Sequence, residues 1–309
     1  MFLFGWTAVL ATALGFFGTA WWPLDVLADW RMILAAVLVV AAVVTGLGYS
    51  RSSAVVFLAA AIVNALLIAP MWLTQQELPT AEERLRVTSL DLASTPVAQK
   101  SIIDWAARIE SDLIVLANAG PAWTALVERS DLPYRVLNDP GLTAGTLVLA
   151  RNGVTASVLE DPSGYGEVDV VIITSLGGQE LTIVGLSVTR PVSARSSQER
   201  VDRFGDVNAA LRGRDGAVVL VGNIETSRWS HAFAVLSREM VNSEDGFGYM
   251  ATYPSRDLRL IGDFGGIPVD HALYRGPLTV TERRISPNLG LDHRALVIDL
   301  APAQAAADG

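Results

Sequence analysis

The sequence predicts an α/β protein in which two stacked mixed sheets with outer helices follow three membrane-spanning helices. Three observations predict it. The N-terminal region holds three long apolar stretches, 2–22, 32–48 and 54–73, without Asp, Glu, Lys or Arg. Beyond them, short β-branched runs alternate with helical patterns. Strand-like runs outnumber helix-like ones, and several follow one another with no helix between, which argues for a mixed sheet.

The apolar stretches come first in the chain. A helix bridging a hydrocarbon core needs about 20 residues. Stretches 2–22 and 54–73 meet that length, and 32–48 is extended by the interfacial residues Trp30, Arg31 and Arg51. Trp21, Trp22, Trp30 and Trp72 sit at segment ends, as an aromatic belt would. All three are apolar around their circumference, unlike the one-sided helices of a soluble core. The start, MFLFGW, lacks the positive charge that opens a cleaved signal peptide. Apart from Asn64 and a few Ser and Thr, the spans carry nothing polar, which argues against transport. The loop GYSRSS carries Arg51 and no acid, whereas PLDVLADWR carries two acids and one Arg. Positive charge favours the cytoplasm, so the second loop and the N-terminus are expected there. The remainder is then expected outside, in the periplasm of a Gram-negative cell, with the chain multi-pass in the inner membrane.

Composition narrows the function classes. The chain is 51% hydrophobic, with a mean hydropathy of +0.37, above what a soluble domain needs. It has no cysteine, which excludes disulfides, thiolate metal sites and cysteine nucleophiles. The net charge of −9 does not indicate nucleic acid as a partner. The basic clusters RGRD at 212–215 and ERR at 282–284 read as solvated surface. No feature names a protein partner.

Residues 1–74 are thus read as the membrane region, 75–84 as a polar linker, 85–301 as one globular domain and 302–309 as a frayed tail. Within the domain, LRVTSLDLA reads as a strand. Thr95 then caps a helix whose Ile102, Ile103, Trp105, Ala106 and Ile109 keep helical spacing. DLIVLAN is a buried strand and PAWTALVERS a short helix. GTLVLAR, DVVIITSL and ELTIVGLSV are further strands. Ser196 and Glu199 form a capping-box pattern opening a helix to about 212. AVVLVG is a strand, a helix starts near Ser230, and VDHALYR, LTVTERR and ALVIDL close the chain as strands.

The polar residues just beyond the strands are the candidates for chemistry: Asp91, Asn118, Ser187, Asn223, Glu225, Asp270, His271, Asp292 and His293. Two of the three histidines follow an aspartate directly, and an Asp beside a His can fix its tautomer or stabilise the imidazolium. An isolated Asp-His pair is most often a surface turn; two pairs among three histidines shift that balance.

The order of these segments resembles the endonuclease/exonuclease/phosphatase superfamily over the whole stretch 84–301. LRVTSLDLASTP is similar to its opening strand, with Asp91 where the family has Asn. ESDLIVLANAG is similar to the strand ending in a metal-binding Glu, here Asn118. LTIVGLSVTRPVS resembles the strand leading to a catalytic His, here Ser187. VVLVGNIETSRWS resembles the G-D-x-N loop and reads Gly222, Asn223, Ile224, Glu225. IPVDHALYRG matches the I-D-H segment with Asp270. GLDHRALVIDL matches the terminal S-D-H motif, with Asp292 and His293 kept and Leu291 in the Ser position.

The resemblance implies a four-layer α/β sandwich and a metal-dependent phosphoester hydrolase, a phosphodiesterase or phosphatase. Its catalytic group would be His293, Asp292, Asn223 and Asp270, with Asp292 orienting His293. Asp91, Asn118 and Glu225 would hold magnesium or manganese, and Ser187 and Asn223 would face the phosphate. A phosphoester or lipid head group beside the bilayer would be the substrate. Several positions are altered: Asn118 is neutral where the metal needs charge, Asn223 cannot act as a base, and Ser187 is no imidazolium. Acid and amide are exchanged between Asp91 and Asn118, and again between Asn223 and Glu225. Two expectations follow. Either the rearranged set still binds a cation and hydrolyses phosphoesters, or the domain binds no metal and is an inactive binding or scaffolding module.

Overall fold

The computed structural model describes residues 1–74, 83–92, 99–255 and 262–303. Most of the expected linker, the Thr95 cap and all but the start of the tail lie outside the described residues.

The N-terminal region forms α1 (Phe2–Leu14), α2 (Trp22–Ala28), α3 (Arg31–Gly48), α4 (Arg51–Ile68) and a turn of helix, α5 (Pro70–Leu73). Among the described residues only α3 and α4 are long and apolar enough to cross a membrane, with mean hydropathies of 2.2 and 2.0. The expected first span is therefore corrected. Helix α1 has 13 residues, about 20 Å at 1.5 Å per residue, against a hydrocarbon core of about 30 Å. It stops because the chain folds back at Gly15–Gly18. A Cβ on Gly18 would lie 2.5 Å from the Asp25 carboxylate, so only glycine admits α2 there. The third stretch is also shorter than expected, since α4 ends at Ile68 before Pro70. Small and apolar residues, Ala8, Leu38, Ala41, Phe57 and Ala61, pack α1, α3 and α4 together.

Twelve strands follow among the described residues: β1 (Leu85–Asp91), β2 (Leu113–Ala117), β3 (Tyr134–Val136), β4 (Leu147–Arg151), β5 (Ala156–Val158), β6 (Val170–Leu176), β7 (Gln179–Gly185), β8 (Ala217–Asn223), β9 (Val241–Asn242), β10 (Asp270–Arg275), β11 (Leu278–Ile285) and β12 (Leu296–Pro302). They form two six-stranded sheets, ordered β11-β12-β1-β2-β4-β3 and β5-β6-β7-β8-β10-β9. Each sheet is antiparallel except at one parallel pair, β1 with β2 and β7 with β8. Helix α6 (Gln99–Arg108) connects β1 to β2, α7 (Pro121–Glu128) follows β2, and α8 (Ala194–Arg212) connects β7 to β8. A short α9 (His231–Leu236) follows β8.

The layers follow from the two-residue period of a strand. In β2, Leu113 and Val115 face the other sheet, while Ile114 and Leu116 face α6 and α7. In β8, Val219 and Val221 face inward, while Val218 and Leu220 meet α8 and α9. Two mixed sheets flanked by helices result. Each fully buried Val, Leu or Ile at these positions contributes about 1.5–3 kcal/mol of transfer free energy. One cap differs from expectation. Ser193, not Ser196, is the N-cap of α8, with Ser196 closing the box and Glu199 paired to Arg195 instead.

Candidate active-site cleft

The candidate residues meet because of strand direction. Strands β1 and β2 run parallel with Asp91 opposite Ala117, so Asp91 and the next residue, Asn118, emerge side by side. Strand β12 is antiparallel to β1, which brings the preceding segment with His293 to the same edge. In the second sheet, β10 is antiparallel to β8 with Asp270 opposite Asn223. Both sheets therefore deliver their polar ends to one rim. Gly222 is required where β8 meets its neighbour. Its φ is +151°, and a Cβ would sit 1.8 Å from the Leu186 carbonyl oxygen. Asn118 and Glu225 hold positive φ of 56° and 53°, a conformation that costs a non-glycine residue about 1 kcal/mol.

The side chains form one closed network. Asn118 Nδ2 donates to Asp91 Oδ1 at 2.8 Å, and Asn223 Nδ2 donates to Asp91 Oδ2 at 2.7 Å. Asn223 Nδ2 also donates to Glu225 Oε1 at 3.2 Å, and Asn223 Oδ1 accepts the Glu225 N–H at 3.1 Å. One amide thus bridges two carboxylates, which an Asp there could not do. The other Glu225 oxygen takes a fork from Arg190, Nε at 2.9 Å and Nη2 at 2.8 Å. The two exchanged pairs are therefore adjacent in space, and the amides act as donors to the acids.

His293 is buried beside this network. Its Nδ1 is 3.0 Å from Asp270 Oδ2 and its Nε2 is 3.5 Å from Glu225 Oε1. Burial alone would lower the imidazole pKa. Asp270, aided by Glu225 and Asp91, outweighs that and raises it to about 9. The orienting residue is Asp270 rather than the expected Asp292, whose side chain is exposed on the cleft wall. Adjacency in sequence misleads here because neighbours entering a strand point to opposite sides.

The cleft has a volume of about 510 Å³, and Asp91, Asn118, Ser187, Asn223, Glu225, Asp292 and His293 all line it. Asp270 supports His293 from behind. Ser187 donates its N–H to Asp169 and accepts from Arg203 through its carbonyl. The sequence reading missed four cleft residues: Asp169, Arg203, Arg190 and Tyr253. Asp169 and Arg203 pair at 2.6 Å, and Arg190 stacks over the Tyr253 ring at 4.3 Å. Arg190 alone carried a signal, a cation just past the β7 strand end. His271, by contrast, is fully buried away from the cleft, between Glu244 and the Thr226 carbonyl.

The donor set does not fit a hard divalent cation, which needs carboxylate oxygens free to coordinate. Both Asp91 oxygens accept amide N–H groups, and Glu225 is held by Arg190, Asn223 and His293. Among the described residues no group of three or more His, Asp or Glu could hold a metal ion. The Arg190 guanidinium supplies the positive charge that a cation would bring to Glu225.

The loop that follows Glu225 is docked on the N-terminal helices. Asp29 Oδ1 accepts from Ser227 N at 2.7 Å and Thr226 Oγ1 at 3.1 Å. Asp25 accepts from His231 N at 2.5 Å. Trp229 Nε1 donates to the Leu67 carbonyl at 3.0 Å, and Gly248 N to that of Met71 at 2.7 Å. Arg200 joins the two regions, with Nη1 on the Glu225 carbonyl at 3.1 Å and Nη2 4.0 Å from Asp25.

No protein-family model and no curated protein matches this sequence. Solved structures do. A humanized D. rerio TDP2 carrying 14 mutations aligns with a TM-score of 0.53 at 13% identity, covering 70% of this chain and 98% of that one. An endonuclease/exonuclease/phosphatase family protein from Bacteroides thetaiotaomicron aligns at 0.51 and 12%, covering 70% and 97%. A mannosyl-6-phosphatase from the same species aligns at 0.51 and 12%, covering 70% and 99%. At such identities the likeness is one of fold.

Proposed function

We propose, from the endonuclease/exonuclease/phosphatase fold that this chain shares with those structures, that it is a membrane-anchored binding or scaffolding module that does not hydrolyse phosphoesters. One observation carries the reading. The two carboxylates at the centre of the cleft are already satisfied, Asp91 by two amides and Glu225 by Arg190, which leaves Asp292 as the exposed acid on its wall. A cation would have to displace these partners, and Asn223 cannot act as a base for water.

Anchoring is supported by α3 and α4. Their outward faces are apolar and open, with Val43 57%, Leu47 86% and Leu66 68% exposed. A helix in a soluble core would bury them. Arg51 lies at the end of α4 remote from the domain, so the positive-inside preference favours an extracytoplasmic, periplasmic domain.

The second reading, an active hydrolase, is favoured by one feature: a protonated His293 held by Asp270 at the cleft wall, able to stabilise a phosphoryl oxygen. Assay of the full chain with magnesium or manganese on generic phosphodiesters and monoesters separates the two. No turnover is expected. Metal-dependent turnover abolished by His293→Ala would overturn the proposal.

A further inference from the structure

A second cavity, of about 380 Å³, lies at the seam between the N-terminal helices and the domain. Its walls include Arg31, Phe16, Leu67, Asp25, Arg228 and Trp229. The acid and the other arginine on the wall, Asp25 and Arg228, are committed. Asp25 is bonded to the N–H groups of His231 and Ala232, and Arg228 is paired with Asp245. Arg31 is different. It is 3% exposed, yet among the described residues no carboxylate forms a salt bridge with it. Its contacts are a long bond of 3.4 Å to Asn64 Oδ1 and the Phe16 ring at 4.4 Å. Its Nε is buried without a hydrogen-bond partner.

A buried guanidinium without a counter-ion is costly, and one with an unused N–H fork on a cavity wall fits an oxyanion. The surroundings narrow the class. Arg31 opens α3 at the end where the domain docks, the level of head groups if α3 spans. The apolar surface beside the cavity is open: Phe16 is 54% exposed, Phe17 58% and Leu66 68%. A free ion has no use for that surface, whereas acyl chains do.

We propose that this cavity is a binding site for the phosphate of a net-anionic phospholipid, with Arg31 as its principal ligand. A zwitterionic head group brings its own cation and leaves Arg31 less well compensated. The site is separate from the cleft. It rests on the reading that α3 and α4 span a membrane.

The test uses the delipidated full chain in neutral detergent, offered phosphatidylglycerol or phosphatidylcholine, with retained lipid counted by native mass spectrometry. Wild type is expected to prefer phosphatidylglycerol by about tenfold, the scale of one charge-assisted contact, and Arg31→Gln by less than about twofold. Arg31→Lys, which keeps the charge but not the fork, should fall between them and guards against a folding failure. Thermal unfolding without lipid adds a second readout. Arg31→Met should unfold at a higher temperature than wild type, because it removes an uncompensated charge; phosphatidylglycerol should reverse that order. Equal lipid preference in wild type and Arg31→Gln overturns the proposal. So does inorganic phosphate that stabilises wild type as much as phosphatidylglycerol, or Arg31→Met that is less stable with and without lipid. Carbonate extraction of the chain from membranes would sink the anchoring itself, whereas retention without lipid preference sinks the site alone.

Discussion

Removing the Asp270 charge tests the electrostatics of the cleft most sharply. Asp270→Asn keeps an oxygen that can accept from His293 Nδ1 and removes only the negative charge. In the native protein burial opposes protonation of His293, and Asp270, Glu225 and Asp91 overcome it, raising the pKa from 6.5 to about 9. That difference corresponds to about 3 kcal/mol, at about 1.4 kcal/mol per unit. The sign follows from the direction. A pKa raised on folding stabilises the native state fully below about pH 6.5, and the contribution is lost as pH rises through about 9. In Asp270→Asn the imidazole pKa should fall by about 2 units, since a partner at 3.0 Å is the principal cause opposing burial. The assay is an NMR titration of ring-labelled histidines in the full chain in micelles, with His231 and His271 assigned by single substitutions. Urea unfolding across the same pH range reports the linked stability. A wild-type midpoint below neutrality, or a titration unchanged in Asp270→Asn, would refute the reasoning.

Other outcomes follow from the same structure. Gly222→Ala places a Cβ 1.8 Å from a backbone oxygen and should destabilise the domain by about 3 kcal/mol or more in denaturant unfolding. Asp29 is pushed up from 3.8 to about 6, chiefly by burial against the docked loop. A raised carboxyl favours the native state at low pH, so up to about 3 kcal/mol of docking stability is lost as pH rises through about 6. Melting temperatures of wild type should fall over that window, and those of Asp29→Asn should stay flat. Arg190→Gln releases one Glu225 oxygen and should let the cleft bind manganese measurably by electron paramagnetic resonance, where wild type does not.

Much of the fold could be read in the sequence. The strands announced themselves because their β-branched runs are bounded by turn residues, and the mixed character of the sheets because several strands follow one another with no helix between. The first span was misread because hydropathy averages over Gly15–Gly18, where the chain reverses against Asp25. Short edge strands such as β3, β5 and β9 carry too few residues to show a period. The candidate site was legible in its rim positions and not in its wiring. Asp91, Asn118, Asn223 and Glu225 stand at strand ends, and the exchange of acid and amide was visible as letters. That Asn223 bridges both acids, and that Arg190 reaches Glu225 from 35 residues away, depends on side-chain directions that spacing does not encode. The docking of Asp25 and Asp29 onto the loop after Glu225 was hidden for the same reason.

The central claim is that Asp91 and Glu225 are satisfied by protein groups and leave no place for a divalent cation between them. Calorimetric titration of the full chain with magnesium and with manganese tests it directly. No saturable heat is expected for wild type, and none for Glu225→Gln. A one-site isotherm in wild type that disappears in Glu225→Gln would contradict it.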